Sequence, residues 1–357
     1  MKIDKILKVA VKGGASDILL KTGALPRFRF NGALVSLSDG DTVSEELMTS
    51  WVHTLVPAHL KPRLDSIEDL DFAYTSVDNL RFRVNLFRQR QQFGMILRIV
   101  NNHVRSLEEL QLPSVIHRIP DEQNGLVLVT GATGSGKSTT LAAIIEKINT
   151  QRSAHVITIE DPIEFVFKEK LSTINQREIG IDTMNFGSAL RSALRQNPDV
   201  ILVGELRDKE TTETALMAAE TGHLVLSTLH TADAVETLTR LLAYFPPHQH
   251  AALRMMLAQT LKYVIAQRLV PKADKKGMTA AMEILVVNQL IREEILGAEH
   301  FESIRDSIRT GQTTYGMQNF NQSLLDLVRK GLITERTALK HATNRKDLEM
   351  ALQGFGA

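Results

Sequence analysis

The sequence predicts an α/β fold in two parts, a parallel sheet with helices on both faces preceded by a smaller mixed α/β module. Three observations predict it. From Gly125 onward, short apolar runs without polar alternation (Leu126–Val129, His155–Ile159, Val200–Val203 and Leu224–Ser227) take turns with helical segments, the pattern of strands covered on both faces. A glycine-rich loop, Gly131–Thr139, directly follows the first of these runs and directly precedes a helical one. In the first hundred residues, Leu80–Leu86 alternates apolar and polar side chains with the period of a half-buried strand.

The elements of the first module follow in order. Ile3 to Val11 has Ile3, Ile6, Leu7 and Ala10 at helical spacing, and the helix stops at Gly13-Gly14. Strand-like runs follow at Ser16–Lys21 and Arg27–Phe30, and Asn31-Gly32 carries a hairpin-turn signal. Ser44 to Val56 returns to helical periodicity. In Leu80–Leu86 the residues Leu80, Phe82, Val84 and Leu86 share one face, and Arg81, Arg83 and Asn85 share the other. A polar segment, Arg88–Gln92, leads into a second strand, Phe93–Val100, which carries Arg98. The stretch 101–121, punctuated by Pro113 and Pro120, reads as a linker, which divides the chain into residues 1–100, 101–121 and 122–357. Beyond about Pro246 the chain reads as mostly helical, and no internal repeat or low-complexity tract is apparent.

Composition narrows the chemistry. The 357 residues suffice for about two domains. There is no run of eighteen uncharged apolar residues, and the charged N-terminus has no apolar stretch behind it, so a cytoplasmic protein without direct membrane insertion is expected. With no cysteine, disulfides, thiolate metal sites and a cysteine nucleophile are excluded. The 42 basic residues nearly cancel the 41 acidic ones, against the basic excess of a dedicated nucleic-acid binder.

The loop carries the most specific chemistry. Gly131, Ala132, Thr133, Gly134, Ser135, Gly136, Lys137, Ser138 and Thr139 fit G-x-x-x-x-G-K-[ST]. Its glycines let backbone amides turn inward around phosphate oxygens, Lys137 supplies a positive charge to the β- and γ-phosphates, and the Ser138 hydroxyl is placed to coordinate Mg²⁺. The following helix points its positive end at the anion. ATP and Mg²⁺ are therefore the expected ligands. The strand Val200–Val203 leads to Gly204 and Glu205, where the carboxylate would face the γ-phosphate and act as general base. The alternative role for Glu205 is a charge at the N-terminus of the helix beginning near Asp208. Gly204 stands where an aspartate is usual, so the metal must lean on Ser138 and water. Glu160, Asp161 and Glu164 cluster past the second apolar run, either organising a metal or water or lying on solvated surface. His223 and His230 bracket the strand Leu224–Ser227, as site groups or as structural residues. Arg81 and Arg83 could bring charge to a phosphate or lie on a solvated face, with Arg98 a further candidate.

Together and in this order, the phosphate loop, the acidic box Ile159–Phe165, the box Ile201–Asp208 and the histidine box Thr221–Thr231 resemble the ATPases that power type II secretion and type IV pili. Within that superfamily the chain resembles the pilus retraction ATPases of the PilT/PilU group, with Gly13–Asp17, Leu80–Asn85, Asn175–Glu178 and Gly316–Phe320 in support. The resemblance spans nearly the whole chain. It implies a PAS-like N-terminal domain, a RecA-like ATPase domain and a homohexameric ring in which N-terminal arginines reach the nucleotide. It also implies ATP-driven pilus retraction at the inner membrane, with a platform protein and a paralogous pilus ATPase as partners and no nucleic acid. The stretch Leu290–Glu294 keeps only Ile291-Arg292 of the Ala-Ile-Arg-Asn-Leu common in retraction motors, which leaves an accessory paralogue as the alternative. Pilus-extension ATPases typically carry a longer N-terminal extension and a four-cysteine zinc site; with no cysteine and no extension expected here, retraction is the expected task.

Overall fold

The computed structural model describes residues 3–30, 33–36, 41–66, 68–78, 80–100, 104–297 and 301–354. The chain divides into two compact units, Met1–His103 with Glu164–Val166, and Val104–Ile163 with Phe167–Ala357.

The first unit is built on six antiparallel strands. These are β1 (Asp17–Lys21), β2 (Arg27–Phe30), β3 (Ala33–Ser36), β4 (Asp69–Thr75), β5 (Arg81–Gln89) and β6 (Gln92–Ile99), in spatial order β3-β2-β1-β6-β5-β4. Two helices, α1 (Ile3–Lys12) and α2 (Glu45–Leu55), bring apolar stripes to one core with the sheet. On α1 the buried residues are Ile3, Ile6, Leu7 and Ala10, the face its spacing predicts. Ser44 caps α2 by accepting from the Leu47 amide at 3.2 Å. On β5 the side chains of Phe82, Val84 and Leu86 are buried while Arg81, Arg83 and Asn85 are half-exposed, as period two requires. The hairpin between β5 and β6 turns on Arg90 and Gln91, both left-handed at φ 48° and 67°, the geometry that matches the twist of the flanking strands. The strands thus run into the segment expected to be a polar connection. Asn31-Gly32, expected to form a turn, lies outside the described residues.

The second unit holds a seven-stranded sheet. Its strands are β7 (Gly125–Thr130), β8 (His155–Glu160), β9 (Thr173–Glu178), β10 (Val200–Val203), β11 (Leu224–Leu229), β12 (Leu261–Pro271) and β13 (Met278–Val286). In space the order is β13-β12-β7-β11-β10-β8-β9, all parallel except β13. Alternate residues of one strand enter opposite cores. Leu126 and Leu128 of β7 join one cluster, while Val127 and Val129 join the other with residues of α3 (Lys137–Gln151). Both faces are therefore apolar, which is why these runs show no polar alternation. Each fully buried Leu or Ile side chain there contributes about 1.5–3 kcal/mol relative to exposure. Leu107, Leu112, Val115, Ile116 and Ile119 belong to the α3-side cluster, so the stretch expected as a linker is built into this core from Leu107 on.

The expectation of a mostly helical chain beyond Pro246 is corrected by β12 and β13, an antiparallel pair nine residue pairs long. Helices return after it, and α11 (Phe320–Arg329), α12 (Glu335–His341) and α13 (Arg345–Leu352) share an apolar cluster with Ala266, Val270 and Ala281 of the pair.

Candidate functional site

The parallel sheet sends four strand ends to one edge. The phosphate loop leaves β7, Glu160 ends β8, Gly204 and Glu205 follow β10, and His230 follows β11. In an open α/β sheet, ligands bind beyond the carboxyl ends of the strands.

The phosphate loop is shaped by close approach to β12. Gly131 has φ 139° and Gly136 has φ 91°, both in the left-handed region. A Cβ on Gly131 would lie 2.4 Å from the Gln267 carbonyl oxygen, and one on Gly136 would lie 2.6 Å from Gln267 Nε2, so only glycine fits at either position. Gly136 is the residue before α3 and has no side chain to cap it, so the helix presents its backbone amino end where an anion would be favoured. The Lys137 side chain is nearly buried and crosses back over the loop, its ammonium donating to the Gly131 carbonyl at 2.8 Å and the Ala132 carbonyl at 3.2 Å. The amino end of α3, the glycine-rich backbone and the Lys137 ammonium form a donor set that fits polyphosphate. Ser138 stands in the first turn of the same helix, a hydroxyl of the kind that coordinates Mg²⁺.

Glu205 is placed by its neighbours in chain and sheet. The Gly204 amide donates to the Ile159 carbonyl of β8 at 2.8 Å, the Thr228 hydroxyl of β11 donates to the Gly204 carbonyl at 2.7 Å, and the Leu206 amide donates to the Thr228 carbonyl at 3.1 Å. The strand end is thereby pinned from both sides. Glu205 Oε2 accepts from Arg207 Nε at 2.8 Å and lies 3.5 Å from His230 Nε2. Arg207 Nη1 is in turn 3.8 Å from Asp161 Oδ2. The carboxylate of Glu205 holds the Arg207 guanidinium above its ordinary pKa, partly offset by desolvation and aided by the charge of Asp161. The helix α5 (Lys209–Glu220) has its own cap, the Asp208 carboxylate accepting from the Thr211 amide at 2.8 Å.

The expected acidic cluster has three separate sets of partners. Glu160 is buried and accepts from the Thr158 hydroxyl at 2.7 Å and Gln176 Nε2 at 3.2 Å. Asp161 faces Arg207, and Glu164, within the first unit, lies 3.6 Å from Arg83 Nη2. Among the described residues no group of three or more His, Asp or Glu side chains is spaced to hold a metal.

One expected ligand-binding residue, His223, is not at this edge. His223 precedes β11 and stands at the amino end of the parallel strands, where Nδ1 is 2.9 Å from the Ala218 carbonyl at the end of α5. Arg98, on β6, is ion-paired to Asp17 of β1 at 3.0 Å, and Arg29 lies 3.4 Å from the same carboxylate. Burial pushes the Asp17 carboxyl up, but the hydrogen bonds from Arg98 and Ser16 and the charges of Arg98 and Arg29 outweigh it and hold the group below its usual value. Arg207 is the neighbour of Glu205 that the expected site residues omit, although it lies two positions along the same box.

A loop that receives phosphate on a helix N-terminus, at the carboxyl edge of a parallel sheet, is the defining property of P-loop nucleotide-binding proteins, and fold and site place this chain in that class. More narrowly, the chain belongs to the Type II/IV secretion system protein family, which it matches over residues 1–353. It is 42% identical to the type IV pilus retraction ATPase PilT of Pseudomonas aeruginosa, with 96% of this chain and 98% of that protein covered. It is 37% identical to the type IV pilus ATPase PilU of the same organism, over 99% of this chain and 92% of the relative. The crystal structure of the pilus retraction motor PilT with bound ADP superposes at a TM-score of 0.89 and 42% identity, covering 98% of this chain and 99% of that one. The sheet of the second unit is accordingly the RecA-like core of the secretion ATPases.

Proposed function

We propose that this chain is an ATPase that hydrolyses ATP to ADP and phosphate and works as a homohexameric motor for type IV pilus retraction, and so for twitching motility. The observation that carries the reading is the meeting, at one sheet edge, of a phosphate loop with its lysine and a carboxylate held on the next strand but one. The identity to PilT over nearly the full length of both chains supports the mechanical task. The N-terminal unit is read as a PAS-like domain, and residues 122–357 as the ATPase domain.

In the proposed site the loop amides from Gly131 to Thr139 and the Lys137 ammonium bind the β- and γ-phosphates. Mg²⁺, held by Ser138 and water, neutralises phosphate charge when bound. Glu205 takes a proton from the attacking water as the oxygen bonds to the γ-phosphorus and the β–γ bridging bond breaks, leaving ADP as the anion. His230 and Arg207 orient the Glu205 carboxylate, and Asp161 steadies Arg207. Glu160 and Glu164 are assigned a water-organising role, and Arg81 and Arg83 supply charge that stabilises the transition state. No helix among the described residues is long and apolar enough to cross a membrane, so the proposed position at the inner membrane depends on protein partners, a pilus platform protein and a paralogous pilus ATPase. Nucleic acid is not a partner in this reading.

An accessory role beside a main motor is the second reading, favoured by the departure at Leu290–Glu294, which forms part of the helix α8 (Gln289–Gly297). ATPase activity measured across a size-exclusion profile, with and without single-stranded DNA, tests the proposal. Activity confined to the hexamer and indifferent to DNA is expected. Activity in the monomer, or activity that depends on DNA, contradicts it. In cells that lack the native chain, restored retraction without any other retraction ATPase separates main motor from accessory paralogue.

A further inference from the structure

The phosphate loop has a neighbour that belongs to none of its motifs. Gln267 lies on β12, the strand beside β7, and the register pairs Ala266 with Thr130, which sets Gln267 beside Gly131. Its side chain is 3% exposed and touches the loop from behind. Nε2 donates to the Ser135 carbonyl at 2.7 Å, and Oε1 accepts from the Thr140 hydroxyl in the first turns of α3 at 2.8 Å. The two glycines that have no room for a Cβ are denied it by this same residue, Gly131 by its carbonyl and Gly136 by its amide nitrogen.

We propose that Gln267 is a positioning residue of the nucleotide site, which sets the curvature of the phosphate loop by clamping Ser135 to α3 through one carboxamide. The inference rests on the reading that the loop binds ATP. The chemistry needs an amide. A donor must meet the Ser135 carbonyl and an acceptor must meet the Thr140 hydroxyl, in one rigid planar group. A carboxylate of the same shape would put an acceptor against an acceptor and a negative charge behind a loop that must receive phosphate. A methionine has a similar length and neither function, and it leaves the Ser135 carbonyl buried without its donor. The clamp holds ground state and transition state alike and does not touch Glu205, so its loss should appear in nucleotide affinity rather than in turnover.

The test measures the Kd for a fluorescent ATP analogue, the ATP KM and kcat, and the Tm, for the full-length native chain and for Gln267→Met, Gln267→Glu and Thr140→Val. Gln267→Met should raise Kd and KM about tenfold to a hundredfold with kcat within about threefold. Gln267→Glu should be worse than Gln267→Met, and Thr140→Val should raise KM about threefold or more. In the Gln267→Met background, Thr140→Val should add little, because the bond it removes is already gone. Folded Gln267→Met with Kd and KM within twofold of the native chain, or a fall in kcat alone, overturns the proposal. If neither Gln267 variant folds, Thr140→Val decides it, an unchanged KM overturning it. A native chain that binds no nucleotide would overturn the ATPase reading, and this proposal with it, whereas equal binding by native chain and variants overturns only the clamp.

Discussion

The two sheets of this molecule handle charge in opposite ways. In the antiparallel sheet of the first unit, charged residues sit on a strand face. Asp17, Arg29 and Arg98 lie on three adjacent strands, and the one carboxylate pairs with both guanidinium groups across the sheet. In the strands β7, β8, β10 and β11 of the second unit both faces are apolar, and charge is pushed out to the strand ends, where Glu160, Glu205 and His230 collect. A strand face spends its charges on its neighbours in the sheet. A strand end leaves them pointing at whatever lies beyond the sheet, which is why chemistry gathers there.

The contrast can be tested by substitution, and the largest effect should come from the strand end of β7. Lys137→Ala removes the ammonium from the phosphate loop, and nucleotide binding followed by calorimetry should fall below detection while the Tm without nucleotide changes little. At the end of β10, the next strand but one, Glu205→Gln keeps the shape and the contact with Arg207 but cannot take a proton. ATP should bind with near-native affinity, and turnover should drop by about 10²-fold or more. Near-native hydrolysis by that variant would remove Glu205 from the base role.

Arg81 and Arg83 would sharpen the comparison from the other side, as strand-face residues assigned a site function. Their paired alanine substitution should lower kcat at least about tenfold while ATP affinity shifts less, as expected for charge that acts on the transition state. Unchanged turnover with a stability change of about 0.5 kcal/mol would return them to the ordinary strand face. The smallest effect belongs to Arg98→Ala, which should leave hydrolysis alone and cost about 0.5–1 kcal/mol of stability. Its pH dependence has a definite sign. The folded-state pKa of Asp17 is lowered, so the pair stabilises fully above the ordinary carboxylate range and loses its contribution as acid protonates Asp17. The Tm difference between the native chain and Arg98→Ala should therefore be greatest near neutral pH and shrink as the pH falls below about 4. A difference that grows in acid would contradict the pairing.

How legible each region was follows from the same contrast. The strands β7, β8, β10 and β11 declare themselves as short apolar runs because both faces are buried, and the loop motif is contiguous in sequence, so Lys137 and Ser138 need no fold to be found. The strand β12 is equally buried but begins at Leu261 directly after α7 (His250–Thr260), with no glycine or proline between, so its apolar residues extend a helical pattern. Gln267 could not be read without that strand. The edge strands β3 and β9 lack the patterns that mark a strand, β3 being a short apolar run exposed throughout and β9 mostly polar. The sequence placed Arg98 on a strand but could not name Asp17, eighty-one positions earlier, as its partner. For His223 the chain order held the answer, because a residue before a parallel strand lies at the opposite edge from one after it.

Gly204 bears on how this site could change by mutation. A Cβ there would stand 3.2 Å from the Ile159 carbonyl, which already accepts from the Gly204 amide, and 3.3 Å from the Phe186 ring. A single-step return to the aspartate usual at this position would have to push β8 and Phe186 apart while the strand bond holds them close. A second carboxylate beside Glu205 is therefore within reach only if the Ile159 carbonyl and the Phe186 ring each give way by a small amount, so the cost of an aspartate at 204 would be set by how firmly β8 and Phe186 are packed.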